Sequence, residues 1–230
     1  RTGSSEGVGE IKDIEVWLSE LEDAMRRKME SVTAESIFAY SVQEGPEWIL
    51  SWPAQTVLAV MRAMITSDAE NSIVALEQGD IQPLRTLASK QLQWIEDAAE
   101  LIGDKATSAL ERNLLSAFIV IGVNNRDVLA RLLRQSVYEI DDFEWLRNLR
   151  YYWEDNKLVL RCVDGELAYA YEYLGSTTAL VVTPLTERCF ATLIGAMKMC
   201  YGGAPEGPAG TGKSETVKQL ARGAGRGRVV

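Results

Sequence analysis

The chain has 230 residues, of which 47% are hydrophobic and 25% charged, a composition typical of a globular protein with a sizeable core. Its net charge of −9 is concentrated in residues 1–160, which hold 27 acidic and 16 basic side chains. This acidic balance argues against a nucleic-acid binder, which needs a basic stripe, and the apolar runs are too short to span a membrane.

The residue types present exclude several kinds of catalytic and metal site. The chain contains no histidine, so these residues hold neither a Ser-His-Asp nor a Cys-His catalytic apparatus. The three cysteines, Cys162, Cys189 and Cys200, are widely spaced and odd in number. They are therefore predicted to be reduced, mostly buried thiols rather than a disulfide framework or a cysteine metal site.

The first 155 residues are predicted to form an array of helices. Apolar residues recur at steps of three and four from Ile11 to Met25, which predicts an amphipathic helix over residues 11–30. Pro53 indicates the start of a second helix, because its missing N–H is tolerated in a first turn. A third helix is predicted from about Pro83 to Ile102, where Gly103 is a natural stop. Further helices are predicted over residues 106–121, 126–138 and 142–154, the last with an aromatic cluster expected to pack in the core.

After Asp155 the pattern changes from purely helical to mixed. Residues 158–163 are predicted to form a strand, Asp164-Gly165 a two-residue hairpin turn, and residues 167–173 the returning strand. Residues 185–199 are then predicted to form a helix capped by Thr186. The order is that of a β-hairpin followed by the start of an α/β domain.

Residues 207–214 have the spacing Gly-x-x-x-x-Gly-Lys-Ser of a phosphate-binding loop. Glycine lets a backbone turn tightly around a phosphate chain, and the N-terminus of the following helix attracts the same anion. In this interpretation Lys213, the predicted catalytic residue, contacts the β- and γ-phosphates, and the Ser214 hydroxyl binds Mg²⁺. The predicted nucleotide-binding residues are Gly207, Pro208, Ala209, Gly210, Thr211, Gly212, Lys213, Ser214 and Glu215.

The segment before this loop, Tyr201–Glu206, is a poor match for the hydrophobic strand that such a loop should follow. On the local pattern alone, a flexible glycine-rich connector is the alternative interpretation. The wider sequence context favours the phosphate-binding loop.

The stretch "YAYEYLGSTTALVVTPLTERCFATLIGAMKMCYGGAPEGPAGTGKSETVKQLARG", from Tyr169 onward, closely resembles the start of the first AAA+ module of dynein heavy chains. The Tyr-Glu-Tyr-Leu-Gly element, the Thr-Pro-Leu-Thr-Glu-Arg element and the glycine loop occur in the family's order and spacing. Upstream, "WILSWPAQTVLAV", "NNRDVLARLL" and "FEWLRNLRYYW" resemble the C-terminal half of the dynein linker. The resemblance covers most of the chain and is weakest over the first ten residues.

This resemblance implies a mainly α fold: a helical linker array over about 1–155, then a β-hairpin and the truncated beginning of an α/β P-loop AAA+ domain over 156–230. It implies that residues 207–214 are the Walker A loop of a hydrolytic site that uses ATP and Mg²⁺. A weakly hydrophobic segment before the loop is common in the family. At position 214 dyneins commonly have threonine, and Ser214 retains its hydroxyl. By the same resemblance, the adenine would lie near Val182, Thr183, Pro184 and Leu185.

The resemblance further implies that the chain is part of an ATP-driven microtubule motor, in which ATP hydrolysis moves the linker. Its partners would be microtubules, other dynein chains and neighbouring AAA+ modules in the cytoskeleton, and the divergent acidic helices favour a ciliary or flagellar axoneme. The family's Walker B carboxylates would follow residue 230, so we expect these 230 residues alone to be inactive as an ATPase. Two alternatives stay open: a helical scaffold whose glycine-rich tail only resembles the loop, and a fragment of a P-loop kinase.

Overall fold

The computed structural model describes residues 13–43, 45–104, 107–135, 137, 139–175 and 178–227. Helices form most of the described part, and a three-stranded antiparallel sheet of order β1-β2-β3 precedes the last two helices, which confirms the predicted fold class. Within these ranges, no helix is both long and apolar enough to cross a membrane. In chain order the elements are α1 (Ile14–Tyr40), α2 (Gly45–Ser51), α3 (Ala54–Glu77), α4 (Gln82–Gly103), α5 (Ala109–Gln135), α6 (Phe143–Leu146), β1 (Arg150–Glu154), β2 (Lys157–Cys162), β3 (Gly165–Ala168), α7 (Pro184–Lys198) and α8 (Lys213–Gly223).

Helix α3 lies at the centre of the helical array, where it packs against α1, α4, α5 and β1. Val57, Val60, Met61 and Ile73 are fully buried along it. A helix that is apolar around most of its circumference is stable only when neighbours cover it, so the other elements assemble around α3. It begins directly after Pro53, as the sequence predicted.

Helix α1 forms where an amphipathic helix was predicted, but the apolar side of its first half is open to solvent. Ile14 is 70% exposed, Trp17 52% and Leu18 50%, while Ile11 lies outside the described residues. The second half anchors the helix, because Met29 joins a buried cluster with residues of α3 and the sheet. Apolar periodicity therefore identified the helix without identifying what covers its face.

The two helices predicted over 106–121 and 126–138 are one continuous helix, α5. Weak helix formers near its middle, Gly122 among them, favour a break locally. In the structure Gly122 faces α4, and an added Cβ there would lie 3.0 Å from Cγ1 of Ile95. The missing side chain lets α4 and α5 approach closely, and this packing keeps α5 continuous.

The prediction of a helix over residues 142–154 is wrong beyond Leu146. Residues 150–154 form β1, which pairs antiparallel with β2. The connecting turn, Asp155-Asn156, has φ angles of +49° and +60°, the combination that suits a two-residue hairpin. Aromatic residues pack well in strands, and pairing with β2 decides the conformation of this segment.

The aromatic side chains predicted to pack in the core are split between the interior and the surface. Trp145 and Tyr151 are buried, whereas Phe143 is 61% exposed. The free cysteines are split in the same way, with Cys162 buried and Cys200 exposed. Burial raises the pKa of the Cys162 thiol to about 11, which keeps it protonated and unreactive.

The turn of the second hairpin lies one residue earlier than predicted. Cys162 pairs with Gly165, so the turn residues are Val163 and Asp164, and Val163 has a φ of +53°. An added Cβ on Gly165 would lie 2.6 Å from Cγ2 of Ile194, because α7 packs directly against the start of β3. Glycine is needed there for the approach of the helix rather than for the turn.

Strand β3 ends at Ala168, so the predicted strand over residues 167–173 is wrong beyond that point. Gln55 of α3 holds the following segment: its amide nitrogen donates to the Tyr169 hydroxyl at 3.0 Å and to the Glu172 carbonyl at 2.7 Å. The Gln55 side-chain oxygen accepts from the Leu174 N–H at 2.8 Å. A buried side chain of the helical array therefore satisfies backbone groups that a further strand would otherwise pair.

Candidate phosphate-binding site

A glycine-rich loop, residues 207–212, leads directly into α8. Gly210 and Gly212 have φ angles of +78° and +80°, and Gly212 is the N-cap of α8. An added Cβ at either position would meet no atom within 4 Å. The requirement for glycine is thus conformational, since other residues rarely adopt these angles. The loop is exposed, and the N–H groups of the first turn of α8 have no intrahelical acceptors.

The side chain of Lys213, the predicted catalytic residue, lies inside this loop. Its ammonium donates to the carbonyl oxygens of Gly207 at 2.7 Å and Pro208 at 2.5 Å. An ammonium carries three N–H donors, so these two bonds leave one donor for an anion. Lys213 therefore places a positive charge at the N-terminus of α8, where the helix dipole also favours anions.

Two threonines fix the loop in this shape. The Thr211 hydroxyl donates to the Pro208 carbonyl at 2.9 Å, and both the N–H and the hydroxyl of Thr216 donate to the Gly212 carbonyl at 2.9 Å. Thr216 is buried, and the reasoning from sequence did not identify it. Its position one helical turn after Gly212 is the signal that could have found it.

Ser214 and Glu215 occupy the exposed first turn of α8. Glu215 pairs with Lys218 at 2.7 Å, and the hydrogen bond from Lys218 lowers the pKa of the Glu215 carboxyl. The accessible Ser214 hydroxyl is an oxygen ligand of the kind that Mg²⁺ accepts. Among the described residues, no group of three or more His, Cys, Asp or Glu could hold a metal. The Ser214 hydroxyl would supply one ligand to Mg²⁺, which also binds substrate phosphates in sites of this kind.

Of the residues predicted near the adenine, Thr183 caps the N-terminus of α7. It is the N-cap of this helix, and its hydroxyl accepts from the Thr186 N–H at 3.3 Å. The Thr186 hydroxyl accepts from the Thr183 N–H at 2.7 Å in return. The prediction that Thr186 is the cap is therefore wrong by three residues, because Thr186 is the reciprocal partner in a capping box.

The predicted adenine segment, Val182–Leu185, lies immediately before and at the start of α7. Val182 lines a cavity of about 80 Å³ together with Gln219 and Gly223. Gly223 is the last residue of α8 and lies about 15 Å along the helix axis from Lys213. Pro184 and Leu185 begin α7, and Leu185 is 72% exposed. The loop residues are thus assembled into one unit, while the adenine contacts stay a prediction.

Helix α7 is tied to the helical array by a largely buried ion-pair network. The Glu187 carboxylate, only 10% exposed, pairs with Arg131 at 3.3 Å and Arg147 at 3.0 Å. Arg147 also pairs with Glu144 at 3.3 Å, and Arg131 donates to the Asn148 side chain at 2.8 Å. Arg131 and Glu187 are 56 residues apart, so no local sequence pattern indicates this network.

Comparison with known proteins finds relatives over most of the chain. A family model described as "Hydrolytic ATP binding site of dynein motor region" matches residues 169–230, which include the loop and α8. The chain is 41% identical to dynein axonemal heavy chain 1 of Homo sapiens over 211 residues. It is 42% identical to dynein axonemal heavy chain 12 of Mus musculus over 210 residues. Each of these alignments covers 91% of this chain, which spans 5% of the human relative and 7% of the mouse relative.

Proposed function

This chain belongs to the dynein heavy-chain family, and from that premise we propose that it forms the ATP-binding loop and part of the linker of a microtubule motor. The loop and Lys213 bind the phosphates of ATP, and Ser214 binds Mg²⁺. The motor couples hydrolysis at this site to movement of the helical array. Since the chain spans 5% to 7% of the relatives compared, these activities belong to a longer protein.

The observation that carries the proposal is the position of the Lys213 ammonium, which donates to the Gly207 and Pro208 carbonyls at the N-terminus of α8. Backbone N–H groups, the helix dipole and this ammonium together offer a concentrated set of donors to an anion. A chain of linked phosphates matches them better than a single carboxylate, because the donors are spread over the loop and the first helical turn. Bound Mg²⁺ would neutralise charge on the same phosphates.

Binding and hydrolysis make different demands on the chain. Hydrolysis also requires a residue that positions the attacking water, and by family resemblance that residue would follow residue 230. We therefore expect these 230 residues to bind MgATP without useful turnover. Family membership also leaves the kinase and the unrelated scaffold without support.

The proposal extends to the two parts of the chain and to their surroundings. Residues 1–155 form the C-terminal half of the linker, and residues 156–230 begin the first AAA+ module. The relatives compared are named as axonemal heavy chains, which supports an axonemal location for this chain. Microtubules, other dynein chains and neighbouring AAA+ modules are the corresponding partners, and Val182–Leu185 is the segment proposed to reach the adenine.

The test is the variant Lys213→Ala in the full heavy chain that contains this segment. Loss of the ammonium removes a charge-assisted contact, so microtubule-stimulated ATP turnover should fall at least about tenfold. Lys218→Ala is the matched control, because Lys218 lies on the same helix, is exposed and pairs with Glu215. Unchanged turnover in Lys213→Ala, or an equal loss in both variants, would contradict the proposal.

A further inference from the structure

The helix that begins at the phosphate loop is held at its opposite end by the helical array. The Tyr151 hydroxyl of β1 donates to the carbonyl oxygen of Gly223, the last residue of α8, at 3.1 Å. The same hydroxyl accepts from Nη1 of Arg62 on α3 at 2.9 Å. Three elements, α3, β1 and α8, therefore meet at one hydroxyl group.

The geometry of this contact leaves little freedom. Tyr151 is only 1% exposed, and a Cβ added to Gly223 would lie 2.9 Å from its hydroxyl oxygen. Burial raises the pKa of Tyr151, so its hydroxyl stays protonated and able to donate. The Arg62 guanidinium lies 5.3 Å from the centre of the Tyr151 ring, and its positive charge suits the C-terminal end of α8.

The neighbouring tyrosine shows that reaching α8 is not a general property of β1. The Tyr152 hydroxyl donates to Glu70 at 2.6 Å and accepts from Arg150 at 2.7 Å. Glu70 lies on α3 and Arg150 on β1 itself. Tyr152 thus joins the same two elements of the array as Tyr151 does, but it makes no hydrogen bond to α8 among those found in the described residues.

Helix α8 is short and regular, so its two ends move together. Its 11 residues span about 15 Å, with Lys213 at one end and Gly223 at the other. Hydrogen bonds weaken steeply when they lengthen or bend. A shift of α8 by about 1 Å along its axis would therefore strain the Tyr151 contact.

We propose that Tyr151 is a positioning residue for the phosphate loop, coupling ligand binding at the start of α8 to α3 and β1. This inference rests on the proposed function, since it assigns a role at the same nucleotide site. With the hydroxyl in place, α8 is held where the loop is ready to bind. Binding at the loop, in turn, tightens the contact between Gly223, Tyr151 and Arg62, because coupling between two sites is reciprocal.

The test compares Tyr151→Phe with Tyr152→Phe in the full heavy chain that contains this segment. Each variant removes one hydroxyl from adjacent residues of the same strand. Affinity for a fluorescent ATP analogue with Mg²⁺ should fall about fivefold in Tyr151→Phe and stay unchanged in Tyr152→Phe. Amide hydrogen exchange provides a readout that a purely structural role would not move. In the unsubstituted protein ATP should raise the protection of residues 150–152, and Tyr151→Phe should abolish that increase.

Two results would overturn the inference: equal nucleotide affinity in Tyr151→Phe and the unsubstituted protein, or ATP-dependent protection of β1 that survives the substitution. If Tyr151→Phe does not fold, Arg62→Met, which removes the donor to the hydroxyl, is judged by the same two criteria. Failure of the proposed function is distinguishable, because Lys213→Ala would then bind the analogue normally. If Lys213→Ala loses binding and Tyr151→Phe has no effect, the inference about Tyr151 is rejected and the proposed function stands.

Discussion

Gly212 and Gly195 both have open space around them, but they differ in backbone conformation. An added Cβ would meet no atom within 4 Å at either position. Gly212 has a φ of +80°, whereas Gly195 lies inside the regular helix α7. Alanine is strained in the left-handed region but favours a helix interior over glycine.

We therefore predict opposite effects of the same substitution. Gly212→Ala should lower the free energy of unfolding by about 1 to 2 kcal/mol, because the loop cannot reach its φ angle without strain. Gly195→Ala should raise it by about 0.5 to 1 kcal/mol. Denaturant unfolding of the two variants measures both changes. Effects of the same sign would show that the loop does not hold the backbone conformation described.

At this scale the sequence was most informative, since the residues of the loop are contiguous and each is tied to a local requirement. Glycine spacing and the following helix pattern indicated the loop and Lys213 together. The hydroxyl of Thr216 was missed because the glycine-loop pattern does not include it, although its position one helical turn after Gly212 was a usable signal.

Helix α7 provides a test at the scale of one element, through its capping box. Thr183→Ala removes the acceptor for the Thr186 N–H and should lower the free energy of unfolding by about 1 kcal/mol. Thr192→Ala is the control on the same helix: Thr192 is exposed, its hydroxyl donates back to the Arg188 carbonyl, and alanine is the better helix former. Chemical denaturation should show no loss for the control. A similar loss in both variants would argue against the cap.

Helices were predicted correctly where their apolar face packs against neighbouring elements. The prediction failed for residues whose conformation depends on pairing with another strand. Helix α3 begins, and helix α4 both begins and ends, close to the predicted positions, because Pro53, Pro83 and Gly103 mark those limits. Residues 150–154 look helical in continuation of α6, yet they form β1 because β2 pairs with them. The turn at Asp155-Asn156 was the local signal for that strand.

At the scale of the whole molecule, the Glu187 network joins the helical array to α7. Glu187→Gln leaves Arg131 and Arg147 with Glu144 as their remaining carboxylate partner, so the free energy of unfolding should fall by about 2 kcal/mol. Glu154→Gln is the matched control, since the Glu154 side chain is 43% exposed and its pair with Arg161 should contribute less than about 1 kcal/mol. Denaturant unfolding at fixed salt measures both. Equal losses would mean that α7 is not held by this network.

Contacts between residues far apart in the chain could not be predicted from the sequence. Tyr151 and Gly223 are 72 residues apart, and Gln55 and Glu172 are 117 apart. Each contact depends on how α3, the sheet and α8 pack, and a single sequence contains no periodic signal for such pairs. The exposed apolar side of α1 shows the same limit, because periodicity identifies a face and not its partner.

The central claim is that the loop before α8 binds the phosphates of a nucleotide. Titration calorimetry of the purified 230-residue chain with MgATP tests it most directly, alongside Lys213→Ala and Lys218→Ala. We predict saturable binding that weakens at least about tenfold in Lys213→Ala and is unchanged in Lys218→Ala. Binding that is equally strong in Lys213→Ala would contradict the account.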